Sequence, residues 1–222
     1  MARRTREDAQ KTRAAILDAA ECIFLERGVA RTSLEQIAQR AGVTRGAIYW
    51  HFRDKGDVFE AMLARVQTPL ADITAALHIG VDKDSLRDGL IRLAVDALDR
   101  LAHSEQHRRV YTILFHRSEA ADETAQVSAS RTLRNREVQT ILETYFEAAQ
   151  QRGELRPGLT PQQAVWAFRS LMLGIYSDWL RDPSQFHLEQ DGIPVARALI
   201  GGLLRSEDDA MGAPRPLETN NE

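Results

Sequence analysis

Arg45, Gly46, Ala47, Tyr49, Trp50 and His51 crowd into seven residues, with Thr44 just ahead and Lys55 just beyond. These types suit a nucleic-acid duplex. An arginine can donate two hydrogen bonds to O6 and N7 of a guanine, and Gly46 and Ala47 keep the element thin enough for its backbone to approach base edges. Tyr49 and His51 can donate to phosphates. Lys55 stands at the start of a following helix, where ammonium and free amides together can hold one more phosphate. Two large aromatic rings side by side on a short helix cannot both enter one core, so Tyr49 and Trp50 predict a face covered from outside.

The flanking residues predict how that face is held. Thr32 or Ser33 can cap a helix, with Glu35 or Gln36 three residues on to complete a capping box. Leu34, Ile37, Ala38 and Ala41 then recur at helical spacing on one buried side, and small Ala38 lets a second helix approach. Gly42 supplies the left-handed backbone of a tight turn, and Val43 fills the angle behind it. Thr44 caps a second helix reaching to Phe52, roughly 13 Å long and sized for one major groove, with Ile48 and Phe52 facing inward. Residues 33 to 52 therefore predict a helix-turn-helix.

The rest of the chain reads as helical throughout, so the expected class is all-α. A helix from about Glu7 to Arg27 turns Ile16, Ala20, Ile23 and Phe24 to a small core and stops at Gly28. Arg3, Arg4 and Arg6 precede it as a short arm able to follow phosphates or enter a minor groove. One continuous helix from about Lys55 to Leu77, burying Val58, Phe59, Met62 and Val66, is expected to link the duplex reader to the remainder as a lever. Further helices are expected at 85–101, 105–117, 122–152, 161–180 and 193–205. No strand pattern is visible. The expected domains are 1–56 for duplex reading and 57–205 for a larger helical domain, with an acidic, disordered tail at 206–222.

Composition narrows the function. The chain has 222 residues, 43% hydrophobic, enough for real cores without disulfides. The net charge of −3 conceals a split, because residues 1–56 hold 11 Lys and Arg against 7 Asp and Glu while the remainder is acidic. The basic end is the duplex-reading end. Cys22, the only cysteine, lies beside Ile23 and Phe24 and reads as a small core residue. No export signal opens the chain and no uncharged run of about 18 residues occurs, so a cytoplasmic protein without membrane segments is expected. Phosphate loop, dinucleotide fingerprint and nucleophile elbow are all missing from the sequence, so no catalytic residues, no cofactor and no enzyme are expected. His103 and His107, four apart with Glu105 between them and His116 further on, keep a metal sensor or metal enzyme open as an alternative. Their order is not that of the zinc-protease motif, so no metal site is assigned.

Ala9-Gln10-Lys11-Thr12-Arg13, Gly28 to Thr32 and Ala41 to Phe52 resemble the DNA-binding domain of the TetR family of bacterial regulators, in its AcrR/TtgR-like multidrug-efflux repressor branch. Beyond residue 65 the resemblance persists in Ile113 to Glu119 and Gly174 to Leu180. It implies DNA contacts from Thr32, Ser33, Thr44, Arg45, Gly46, Ala47, Tyr49, Trp50, His51 and Lys55. It also implies a drug pocket involving Val66, Tyr111, Phe115, Arg169, Met172, Leu173 and Tyr176. An arginine and two rings at these positions depart from the relatives and favour a smaller cavity for anionic or planar aromatic ligands.

Together these features predict a ligand-responsive repressor that binds a palindromic double-stranded operator as a homodimer and is released by a hydrophobic small molecule. One short helix reads only a few base pairs, whereas a two-fold pair reads two half-sites about 34 to 36 Å apart. The last two helices are the expected dimer contact, through Ala164, Leu171, Ile175, Ala198, Gly201 and Gly202. A second reading keeps the DNA binding without a drug response, as an activator or nucleoid-associated protein.

Overall fold

The computed structural model describes residues 2–82, 85–118 and 125–205, with backbone alone at 2–5, 78–82 and 125–132. The described residues are helical, as their periodicity predicts, apart from turns and one antiparallel bridge between Leu155 and Leu204, with π-helical segments at Ile113–Arg117 and Leu188–Gly192 among the α-helices. They form two compact units. One comprises the residues up to Pro69 with Asp99–Glu137 and Tyr176–Phe186; the other comprises Leu70–Leu98, Val138–Ile175 and the described residues from His187. The expected tail at 206–222 lies outside the described residues.

In the first unit, α1 (Ala2–Arg27) packs on α2 (Leu34–Ala41), α3 (Arg45–His51) and α4 (Lys55–Ala64). Ile16, Ala20 and Phe24 meet Ile37, Ile48, Val58 and Met62, all essentially without solvent contact. Each large side chain so buried contributes roughly 1.5–3 kcal/mol, before the entropy of ordering the chain is subtracted. Phe24 and Phe59 meet edge to face at 6.3 Å. Val110 of α7 (Glu105–Thr112) and Ile113 of the π-helical turn that follows it (Ile113–Arg117) close the same core.

Three elements differ from what the sequence predicts. Arg3, Arg4 and Arg6 are not an arm ahead of the first helix, because α1 already runs through them; nothing between Ala2 and Gln10 breaks a helix. The continuous helix expected from Lys55 to Leu77 is two, α4 and α5 (Leu70–Asp82), separated at Arg65–Pro69. Pro69 lacks an N–H and drives Thr68 out of the helical region, and these local terms outweigh the continuing apolar periodicity. The helix expected over 105–117 changes to π geometry for its last turn.

In the second unit α5 joins the described parts of α6 (Leu86–His103), α8 (Ala125–Gln151), α9 (Pro161–Arg181) and α10 (Ile193–Leu203) that belong to it. Leu86, Leu90, Phe146, Val165 and Ile200 are fully buried together, and the Tyr145 hydroxyl donates to the Leu86 carbonyl. Ala164, expected at a dimer contact, lies inside this core with Phe168 instead, and Ile175, expected there too, is only 9% exposed. The outward apolar residues are Trp166 and Leu173 on α9, 55% and 49% exposed, and Val195 and Leu199 on α10. Trp166 and Leu173 are seven apart and so share a face, turned well away from the Ala164 face.

Candidate nucleic-acid interface

The helix-turn-helix is fixed by local chemistry at every joint. Ser33 caps α2 by accepting from the Gln36 amide at 3.3 Å, and the Gln36 side chain accepts from the Ser33 amide at 2.9 Å. Gly42 ends α2 with φ 68°, a left-handed conformation that leaves its N–H free to donate to Ala38 and Gln39. Thr44 then caps α3 through the Ala47 amide at 3.2 Å. Helix α3 is seven residues long, about 10 Å, slightly shorter than expected. Ile48 and Phe52 anchor its inner side at 0% and 3% exposure, so the opposite side must face solvent.

That outer side carries the groups suited to a duplex. Trp50 is 74% exposed and Tyr49 44%, an unusual cost for a surface with nothing to cover it. The His51 ring lies edge-on to Trp50 at 4.6 Å. Burial and the nearby Arg13 guanidinium hold His51 below the usual histidine range, so it is a neutral donor near pH 7. Thr44, Arg45 and Gly46 are exposed, and Ala47 is half-buried. The Arg45 guanidinium lies 5.6 Å from the centre of the Tyr49 ring.

The remaining residues expected on this face are placed differently. Thr32 is buried, its hydroxyl donating to the Gly28 carbonyl at 2.8 Å, which fixes the turn before α2 and directs the side chain inward. Ser33 is half-buried with its hydroxyl in the cap. Lys55 is half-buried and donates to the Ala30 carbonyl at 3.1 Å, joining the start of α4 to that same turn.

The residues expected around an effector fall in both units. In the first, Tyr111, Phe115 and Tyr176 form an aromatic trio, with Tyr176 edge-on to Tyr111 at 5.2 Å and to Phe115 at 6.5 Å, and Tyr111 and Phe115 6.3 Å apart. Burial pushes both phenols above the usual tyrosine range, so both stay protonated and can donate. Val66 is buried in the core of that unit. In the second unit Arg169 reaches the Gln139 side chain at 3.5 Å, Met172 packs against the core and Leu173 is half exposed. His103 and His107 lie on consecutive helices, α6 and α7, divided at Ser104, which caps α7 and also meets the His107 ring at 2.9 Å. The single helical face that would pair them for a metal is not formed.

Two groups escaped the reading of the sequence. Glu21 has no solvent contact, yet it takes Arg65 at 2.7 Å, Arg109 at 3.1 Å and the Gln106 amide at 3.1 Å. Its position four after Leu17, on the apolar side of α1, was the available signal. Glu35 meets Tyr49 and Arg45 across the turn, and no local spacing announces that contact.

Two family descriptions match this chain: "Bacterial regulatory proteins, tetR family" over residues 16–62, and "MAATS-type transcriptional repressor, C-terminal region" over 85–206. It is 35% identical over 201 residues to the HTH-type transcriptional repressor BepR of Brucella suis biovar 1 (strain 1330), covering 90% of this chain and 96% of that one. Among solved structures it is similar to NalD, the secondary repressor of the MexAB-OprM multidrug efflux pump in Pseudomonas aeruginosa. That similarity has a TM-score of 0.83 at 41% identity, covering 90% of this chain and 99% of that one. SmeT, the repressor of the Stenotrophomonas maltophilia multidrug efflux pump SmeDEF, is similar in its triclosan complex with a TM-score of 0.70 at 31% identity, covering 93% and 99%.

Proposed function

Since the chain belongs to the TetR family of bacterial regulatory proteins, we propose that it represses a multidrug efflux operon and its own gene until a hydrophobic compound releases it. Repressors of this family bind operator DNA and small-molecule effectors and dimerise. Residues 1–56 carry the duplex reader and residues 57–205 the effector and dimer contacts. The observation that carries the reading is the exposed row of Arg45, Tyr49 and Trp50 on the capped, core-anchored α3. Arg45 reads a guanine, Tyr49, Trp50 and His51 cover sugar and phosphate, and the amides at the start of α3 admit the backbone closely. The protein acts in the cytoplasm, where its operator lies; no described helix is long and apolar enough to cross a membrane.

Trp166, Leu173, Val195 and Leu199 supply the dimer contact from α9 and α10, since four large apolar side chains half open to water favour a partner. The effector engages the trio of Tyr111, Phe115 and Tyr176, whose edge-to-face arrangement suits a planar aromatic guest. Movement then passes along α7, because the Arg117 carbonyl at the end of its π turn accepts from the Val29 amide at 3.0 Å, just before α2. An effector changes operator affinity only through its differential affinity for the two states; about 1 to 3 kcal/mol of coupling gives about 5- to 150-fold.

The test is a fluorescence-anisotropy titration on DNA from upstream of its own gene at fixed salt, repeated with triclosan and other hydrophobic antimicrobials. Specific binding that a compound weakens is the expected result. Specific binding that no compound alters would refute the drug response and favour the activator or nucleoid reading.

A further inference from the structure

Glu35 sits on the exposed side of α2, and one of its carboxylate oxygens serves two residues of the duplex-reading helix. The Tyr49 hydroxyl donates to Oε1 at 3.0 Å, and the Arg45 guanidinium lies 3.5 Å from the same atom. Arg45 in turn rests over the Tyr49 ring. The three side chains close a triangle across the turn at Gly42. Hydrogen bonds from its own amide, from Tyr49 and from Ser33, with the Arg45 charge adding to them, hold the Glu35 carboxyl below the usual carboxylate range, so it is ionised near neutral pH. An acid on a surface that must approach phosphates is otherwise an electrostatic liability, which calls for a compensating role.

We infer that Glu35 is a specificity-determining residue, tethering Arg45 and Tyr49 so that phosphate contact alone gains little while the base contact of Arg45 is retained. The inference rests on the proposal that α3 reads DNA. Any duplex offers phosphates, and an untethered arginine binds them regardless of sequence. With a carboxylate already beside it, a guanidinium that moves to a phosphate exchanges one anion for another. A guanine edge offers two aligned acceptors that the carboxylate arrangement does not match, and the tether reduces the freedom Arg45 loses on reaching it. Both effects penalise wrong sequences more than the right one.

The experiment begins with selection of a cognate duplex from a randomised pool by the full-length protein. Anisotropy titrations then compare cognate and scrambled duplexes at two salt concentrations for the wild type, Glu35→Gln, Glu35→Ala and Arg45→Ala, with thermal melts to verify folding. Glu35→Ala is expected to tighten scrambled binding about two- to fivefold more than cognate binding. Glu35→Gln is expected to give part of that change, because its amide oxygen still accepts from Tyr49. Equal tightening on both duplexes in both variants would overturn the inference, since simple repulsion between an acid and phosphates acts without regard to sequence. Failure of the wild type to select any sequence, or unchanged discrimination in Arg45→Ala, would instead overturn the assignment of α3 and this inference with it.

Discussion

Glu21→Leu removes a carboxylate that two guanidiniums share inside the first unit, and its cost can be reasoned from the contacts. Arg65 at 2.7 Å and Arg109 at 3.1 Å would face a hydrocarbon, and the Gln106 amide would lose its acceptor. Breaking a buried pair by deleting one partner costs about 3–5 kcal/mol, mainly because the remaining charge stays desolvated. Here the lower end applies. Both arginines keep about a quarter of their side-chain exposure, and each keeps a second acid, Asp18 at 2.7 Å for Arg65 and Glu105 at 3.2 Å for Arg109. The expectation is a loss of about 3 kcal/mol, read as a fall of about 1.5 M in the urea midpoint for a slope of about 2 kcal/mol/M. Protomer concentration must be held constant, because dimerisation also shifts apparent stability. The control is Glu26→Ala, which removes the partner of Arg40 at 2.8 Å where both side chains are over 40% exposed; its midpoint should hardly move. Equal, small shifts in the two variants would refute the reasoning, because Glu21 would then not be balancing buried charge.

Gly42→Ala should cost about 1–2 kcal/mol in a denaturant melt, from the positive φ alone, since no atom lies within 4 Å of an added Cβ; a much larger loss would mean that a close neighbour exists. Trp50→Ala should leave stability within about 0.5 kcal/mol and weaken operator binding, because the ring is mostly exposed and has no core role; unchanged affinity would remove it from the interface. His107 is held below the usual histidine range by burial first and by the Arg100 charge second. The unfolded chain therefore binds the proton more readily, so stability present above pH about 6.5 declines as pH falls through the depressed folded value. Urea midpoints between pH 7.5 and 5.5 should show a shallower decline in His107→Gln, with His51 supplying a residual slope of the same sign. An identical slope in the variant would exclude His107 as a source.

The helix-turn-helix was legible because its determinants are local. The Ser33 and Gln36 capping box, the left-handed Gly42, the Thr44 cap and the inward Ile48 and Phe52 all act within a few residues, where side-chain chemistry decides backbone geometry without help from the remainder of the fold. The all-α class and the internal faces of α1 and α4 follow from spacing in the same way. Tertiary structure decided what spacing cannot express. The break at residues 65–69 is local to Pro69, but the meeting of Arg65 with Asp18 and Glu21 at the end of α4 joins residues more than forty positions apart. Ala164 is apolar like Trp166 and Leu173, and only packing within the core of the second unit determines that it turns inward while they turn outward. Glu21 and Glu35 draw their roles from partners 10 to 88 positions away, and a linear pattern carries no record of which distant charge an acid will meet.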